Sequence, residues 1–406
     1  MRAEIAAERA AARAIAVKRS TAMVTAALQE LQDAALQRQR RTVLGFAATG
    51  AASRPVLGGR PLHDFCSNDY LGLAREPLVA RAMQEAAAAW GVGAGASHLV
   101  TGHSAEHQAL EQELAAFTGR EAALLFSTGY MANVGVITAL AARGEIIVQD
   151  RLNHASLIDG ARQSGARLQR YRHGDAVDAS RLFEAAGRAS LLATDGVFSM
   201  DGDVAPLKEL AALAARHEAW LLVDDAHGLG VVGATGRGTL ELAGLGATEV
   251  PLLVGTLGKA FGCFGAFVAG DRDVIELILQ RARSYIYTTA LPPAVAAAAR
   301  AALALSQQQP WRRERVLAAV ARFRSAAAER GIPLLPSATP IQPVLVPGAA
   351  NCLAASSALM QRGFWVAAIR SPTVPAGTER LRITLSAAHE DAHIDALLDA
   401  LVEVLA

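Results

Sequence analysis

Two short segments hold residue types at a spacing that chemistry needs. The first runs from Trp220 to Gly228 as Trp-Leu-Leu-Val-Asp-Asp-Ala-His-Gly, an apolar strand-like run ending in Asp224, Asp225 and His227. Four readings compete for it. A metal site needs more than one histidine beside two adjacent acids. A dinucleotide site is formally written in Gly228-Leu-Gly230-Val-Val-Gly233, but this GxGxxG match neither follows the strand directly nor opens a helix. A third reading sets one acid against the protonated nitrogen of a heteroaromatic cofactor that acts as an electron sink. The fourth is structural, with the acids capping a turn.

The second segment, Val254 to Gly265, carries Lys259 among glycines and apolar residues. It is no phosphate-binding P-loop, because Ala260 follows the lysine where magnesium chemistry needs a hydroxyl. Apolar surroundings disfavour the ammonium form, lower the pKa and free the amine to attack a carbonyl and form a Schiff base. A lysine snorkelling to the surface is the structural alternative. Composition weighs against it: of 39 basic residues only Lys18, Lys208 and Lys259 are lysine, so arginine serves wherever a generic positive charge suffices.

A third segment, Phe126 to Asn133, reads as a strand, a small turn at Gly129 and a helix start, whose free N–H groups suit a phosphate. His154 follows another apolar run, placed to offer an imidazole face to a cofactor ring or to start a helix. Arg370 lies in a turn stiffened by Pro372 and Pro375, as a carboxylate clamp or as a surface arginine. His98, His103 and His107 carry no assignment.

The elements that must position these residues follow from periodicity. From about residue 75 to 300, apolar runs (Ala122–Phe126, Glu145–Val148, Ser190–Thr194, Trp220–Val223, Leu252–Val254, Gly265–Ala269) alternate with helical stretches. The helical stretches are Pro77–Trp90, Ala105–Thr118, Ala155–Ser164, Pro206–His217 and Asp271–Ser284. That alternation predicts crossover units and a mainly parallel sheet covered on both faces, with ligands at the carboxyl ends of its strands. Residues 1 to about 41, without Gly or Pro, read as helix, and 45–62 as a linker with short strands. Beyond Pro292 the expectation is one long helical stretch to about Arg330. Strands at Ile341–Val346 and Leu381–Leu385 and helices at Ala350–Arg362 and Glu390–Leu405 follow, forming a smaller α+β domain. The expected division is 1–60, 61–295 and 296–406.

Composition narrows the class. Hydrophobic residues make up 52%, charged residues 19%, and the net charge is +1, a globular balance with no nucleic-acid footprint. Trp311-Arg-Arg-Glu-Arg315 is a solvated helix face. Cys66, Cys263 and Cys352 are odd in number and far apart, which implies a reducing, cytoplasmic setting with neither disulfides nor a CxxC metal pair. Glu4, Glu8, Arg9 and Arg13 interrupt any leader-like stretch, and the uncharged window Ala86–Ala105 is too polar to span a membrane.

Taken in order, eight stretches resemble the α-oxoamine synthases, fold-type-I pyridoxal-phosphate enzymes. They are Ser67–Leu73, Phe126–Tyr130, Asp150–Ser156, Gly196–Asp203, Val223–Gly228, Thr256–Lys259, Tyr287–Pro293 and Pro372–Arg382, and the likeness covers roughly residues 36 to 405. The resemblance implies a large domain around a mainly parallel seven-stranded sheet and a smaller C-terminal α+β domain. It implies pyridoxal 5'-phosphate bound through Lys259, with Asp224 at the pyridinium nitrogen and His154 stacked on the ring. Ser199 and His227 contact the phenolic oxygen, and Gly129, Tyr130 and Thr256 hold the phosphate. Thr289 reaches the phosphate of a partner subunit in a homodimer. Asn68, Arg370 and Thr373 face the substrates, and Arg38, with Arg40 and Arg41 as alternatives of register, meets the acyl donor. The activity implied is decarboxylative condensation of an amino acid with an acyl thioester. Segment 370–378 points to L-alanine with a pimeloyl thioester, carried by coenzyme A or an acyl carrier protein, as in biotin biosynthesis. Glycine with acetyl-CoA, as in glycine C-acetyltransferase, is the next alternative within the family, ahead of 5-aminolevulinate synthase and serine palmitoyltransferase. Outside it stands a nicotinamide oxidoreductase using the GxGxxG run, or a non-catalytic binder on the same fold.

Overall fold

The computed structural model describes residues 21–48, 54–186 and 189–406. Its centre is a seven-stranded sheet of β1 (Ala122–Phe126), β2 (Ile146–Asp150), β3 (Arg167–Tyr171), β4 (Leu191–Asp195), β5 (Trp220–Asp224), β6 (Leu252–Thr256) and β7 (Ala266–Gly270). The order across the sheet is β1-β7-β6-β5-β4-β2-β3. Neighbours run parallel except β7, which is antiparallel to both β6 and β1. The expected mainly parallel sheet is therefore present, and the carboxyl ends of β1 to β6 share one edge.

Burial on both faces explains the apolar runs. Every residue of β4 and β7 is buried, as strands sandwiched between helices must be. Alternate side chains face opposite layers. Leu222 joins the core beneath helices Gly129–Leu140, Ala155–Ser164 and Arg272–Arg281, with Ile137, Leu157 and Ile278. Leu221 and Val223 join the other layer, with Phe183, Leu207 and Leu210. Each such side chain stabilises the fold by roughly 1.5–3 kcal/mol through removal from water.

The C-terminal unit is a second layered body. Strands β8 (Ile341–Leu345), β9 (Ala367–Ile369) and β10 (Arg380–Thr384) form an antiparallel sheet in the order β8-β10-β9. Leu381 and Ile383 of β10 pack with Phe323, Leu359, Leu397 and Leu398 from helices Trp311–Glu329, Ala349–Gln361 and Asp391–Leu405. His63–Asp64 pairs in parallel with Phe364–Trp365, so the chain just before the large sheet is sewn into this body.

Five expectations differ from the structure. Segment 311–315 is no solvated face: Arg312 and Arg313 are buried, with Arg312 paired to Glu76. β3 went unforeseen because Arg167–Tyr171 is an edge strand with a polar, partly exposed sequence and no apolar run. β9 is only three residues long and half-buried, too short to leave a period. The long stretch from Pro292 is two helices, Pro293–Gln308 and Trp311–Glu329, because Pro310 lacks an N–H and cannot continue the first. At the N-terminus residues 21–33 are helical, residues 1–20 lie outside the described ones, and the expected continuation to 41 does not occur. Ala35 takes a left-handed φ of 54°, and the N–H groups of Leu36 and Gln37 turn back to the Leu31 carbonyl. Contacts with the C-terminal unit hold the following chain away from a helix: Arg370 donates to the Ala35 carbonyl and Arg38 to Thr373 Oγ1.

The turn after β6 that presents Lys259 depends on one glycine. Gly262 donates its N–H to the Lys259 carbonyl at 2.8 Å with φ of 65°, and a Cβ there would lie 2.2 Å from the Ala74 nitrogen. Gly262→Ala is expected to destabilise the protein by at least about 2 kcal/mol, from left-handed strain and the backbone clash together. Urea unfolding checks this; an unchanged midpoint would show that the Ala74 backbone yields freely.

Candidate functional site

Lys259, Asp224, Asp195, Thr256 and the Gly129 turn all lie at the edge where β1 to β6 end. Burial of the Lys259 side chain pulls its amine down to about 8, against the opposing attraction of Asp224 and Asp195. A lowered amine pKa is what an apolar setting predicts. Asp224 ends β5 nearly buried, with Oδ1 accepting the Ala226 N–H at 3.0 Å and Oδ2 accepting Asn133 Nδ2 at 2.6 Å.

His154 caps helix Ala155–Ser164, so its helix-start reading is realised. Its backbone N–H donates to Asp195 Oδ2 at 2.6 Å and its Nδ1 lies 2.7 Å from Ser156 Oγ. Desolvation lowers its pKa, outweighing the attraction of Asp224, so the ring is neutral. Desolvation, reinforced by the charges of Lys259 and Arg382, holds His227 far below its ordinary value. His227 Nδ1 pairs with the buried Tyr70 hydroxyl at 2.7 Å.

Tyr70 in turn donates to Asn68 Oδ1 at 3.2 Å, and that oxygen also receives two Arg382 N–H groups at 3.2 Å. The Nε of Arg382 donates to the Ser199 carbonyl at 2.5 Å. Arg382 thus links Asn68 and Ser199, which lie 131 positions apart (199 − 68), and Asn68 continues the path to His227.

The turn after β1 is open to an anion. Thr128 caps helix Gly129–Leu140 by accepting the Met131 N–H, and no atom lies within 4 Å of a Cβ built on Gly129. Thr256 Oγ1 donates to the Gly265 carbonyl and accepts the Gly258 N–H. Tyr130 is exposed, with its hydroxyl on Asp159 Oδ2 at 2.8 Å. Thr289 is exposed, and among the described residues no hydrogen bond joins it to this group.

Arg38, Arg370 and Thr373 come together on the C-terminal unit, with Gln39, Ala368, Ile369 and Ser371, around a hollow of about 270 Å³. Arg38 Nη2 lies 3.3 Å from Thr373 Oγ1, whereas Arg41 turns to Met360 and Arg40 makes neither contact. Of the three candidate arginines, Arg38 faces Thr373.

Other motifs resolve into packing. Gly228 lies against the buried Asp225 carboxylate, Gly230 against Ala260 and Gly233 against Glu241, and the helix that follows, Thr239–Ala243, begins only later. Asp225, pushed up to about 7 by burial, accepts the Thr239 N–H at 2.7 Å. His98, His103 and His107 cluster closely. However, His107 Nε2 meets the Leu291 carbonyl while its Nδ1 receives the Ser104 N–H, so both nitrogens are occupied.

Sequence reasoning assigned no role to Asn133, Asp195, Tyr70 or Arg382. Arg382 carried a usable signal, since a charged residue in the middle of a short apolar strand is costly unless it is paired. The other three gave none that distinguishes them from strand-end or turn residues. The donor set fits pyridoxal phosphate: a poised amine, a strand-end carboxylate held at both oxygens, a neutral imidazole and an open helix start.

A family model, aminotransferase class I and II, matches residues 60–401. The 8-amino-7-oxononanoate synthase of Methylococcus capsulatus is 59% identical over 367 residues, 90% of this chain and 94% of that protein. The protein of the same name from Alkalilimnicola ehrlichii is 61% identical over 333 residues, 82% of this chain and 85% of that one. Among solved structures, a serine palmitoyltransferase of S. paucimobilis, bound to a PLP–myriocin aldimine, aligns with a TM-score of 0.86 and 31% identity. That alignment covers 94% of this chain and 96% of that one. The 8-amino-7-oxononanoate synthase of Francisella tularensis aligns with a TM-score of 0.75 and 29% identity, over 85% and 98% of the two chains.

A desolvated Lys259 sets a pH dependence. Its folded value is depressed, so the neutral amine accumulates as pH rises toward about 8. Capture of pyridoxal phosphate by cofactor-free protein is expected to accelerate about tenfold per pH unit below that value and to level off above it. A stopped-flow absorbance series checks this; a rate still climbing at pH 10 would mean a solvated lysine.

Proposed function

The chain belongs to the class I and II aminotransferase family as a pyridoxal-phosphate-dependent acyltransferase, and we propose that it condenses L-alanine with a pimeloyl thioester. Carbon dioxide and the free thiol carrier leave, and 8-amino-7-oxononanoate, an intermediate of biotin biosynthesis, remains. The observation that carries this reading is the Arg38–Arg370–Thr373 hollow, supported by the name shared by relatives of 59% and 61% identity.

When bound, pyridoxal phosphate supplies an aldehyde for amines and a conjugated ring that accepts the electron pair left at the substrate α-carbon. Lys259 would hold the cofactor through its side-chain amine. That amine, which burial brings down to about 8, would take the α-proton of alanine and later return one, gaining more from position than from basicity. Asp224 would keep a proton on the ring nitrogen, its own oxygens being oriented by Ala226 and Asn133. His154 and His227 are neutral, so they add no positive charge to compete with that proton. His154 would stack on the ring, and His227 with Ser199 would contact its phenolic oxygen. The Gly129–Tyr130 turn and Thr256 would hold the phosphate.

Arg370 binds the amino-acid carboxylate as a charge-assisted pair, and Asn68 lies beside it. Thr373 and Arg38 border the acyl chain, and Arg38 offers a cation for its distal carboxylate. Two identical subunits complete the sites, with exposed Thr289 serving the partner's phosphate. The three free cysteines suit a reducing cytoplasm.

Turnover tests the reading. L-Alanine with pimeloyl-CoA or pimeloyl-acyl carrier protein should react faster than glycine with acetyl-CoA or serine with palmitoyl-CoA. Preference for glycine and acetyl-CoA would reassign the substrates to the alternative branch. Palmitoyl preference would follow the structural likeness to serine palmitoyltransferase. Lys259→Ala should abolish the yellow colour of the loaded protein and lower turnover by roughly a thousandfold. A variant that stays yellow and active would remove Lys259 from the chemistry.

A further inference from the structure

We propose that Asn133 is a positioning residue that ties Asp224 to His154 through the Ser156 hydroxyl, and that this relay keeps the His154 proton on Nε2. The inference deepens the reading above and rests on it for its purpose, though its geometry belongs to the chain alone.

Three elements meet here: helix Gly129–Leu140 brings Asn133, the start of helix Ala155–Ser164 brings His154 and Ser156, and β5 ends in Asp224. Asn133 is 1% exposed, and its amide nitrogen lies 2.6 Å from Asp224 Oδ2 and 2.9 Å from Ser156 Oγ. An ionised carboxylate only accepts, so the NH₂ and not the carbonyl must face Asp224. Both amide hydrogens are thereby used. Among the described residues the buried amide oxygen has no partner, a cost an ordinary packing asparagine avoids.

Direction then propagates. Ser156 Oγ receives a hydrogen from Asn133, which leaves its own hydroxyl proton to donate onward. His154 Nδ1 lies 2.7 Å from that hydroxyl and 3.3 Å from the Ser156 backbone nitrogen, a group that only donates. Nδ1 is therefore an acceptor, and the neutral ring carries its proton on Nε2. At the other end, the Ala226 N–H occupies Asp224 Oδ1, so both carboxylate oxygens are fixed. The Asp195 carboxylate pins the His154 backbone from behind. The ring-facing acid and the stacking imidazole are thus oriented as one unit before any cofactor arrives.

Nitrogen-15 NMR of histidine-labelled full-length protein reads the tautomer directly, before and after pyridoxal phosphate is added, with His154→Gln identifying the signal. The wild type should show a single Nε2–H form of His154. Ser156→Ala and Asn133→Ala should give a mixture of tautomers, and Ser156→Thr, which keeps the hydroxyl, should restore the single form. Asn133→Ala should also weaken pyridoxal phosphate binding roughly tenfold, the loss expected for one hydrogen bond to a charged group. An unchanged tautomer in Ser156→Ala, at wild-type melting temperature, would overturn the relay even if Asn133→Ala fails to fold. Because the tautomer is read without cofactor, the relay can fail while Lys259 still takes up pyridoxal phosphate. Equally, it can stand while the substrate assignment falls.

Discussion

Everything at the strand edge depends on keeping one amine out of water while carboxylates stand near it. Desolvation alone would drive the Lys259 amine further down; Asp224 and Asp195 pull it back, and the balance rests near 8. A drier pocket would leave the lysine inert to protonation, and a wetter one would leave it a permanent cation. The parallel sheet makes the balance possible, because strands of one direction deliver their terminal carboxylates and the lysine turn to one edge. Gly262 lets that turn close against the backbone at Ala74.

Much of this was legible in the chain. Helices Pro77–Trp90, Ala105–Thr118 and Ala155–Ser164 have the bounds that their periodicity and caps imply, and six of the seven strands announce themselves as apolar runs. The seventh does not, because an edge strand such as Arg167–Tyr171 has no need to be apolar. Lys259 and Asp224 stood out because their neighbours are apolar and because lysine is rare here.

What was not legible is pairing across long sequence distances. Nothing in a strand of composition Arg-Leu-Arg-Ile-Thr tells which distant groups Arg382 will satisfy, and nothing near Asn133 points to Asp224, 91 positions on. The same reason applies to the chain after residue 33. Its composition favours helix, but Arg370 and Thr373 offer hydrogen bonds from the far end of the sequence and hold it otherwise. Local propensity is a weak preference, readily overridden by tertiary contacts of this kind.

The C-terminal unit grips the loop after β4 at several points. Arg380 pairs with Asp201, Arg382 with the Ser199 carbonyl, and Ser337 and Thr339 both donate to the Gly202 carbonyl. Ser386 reaches the Asp69 carbonyl, and His63–Asp64 is a strand of that unit's own periphery. Neither body therefore owns that strand edge. Loosening the smaller body is expected to disturb the loop after β4 and the Asn68–Asp69 turn together, because both are held from it.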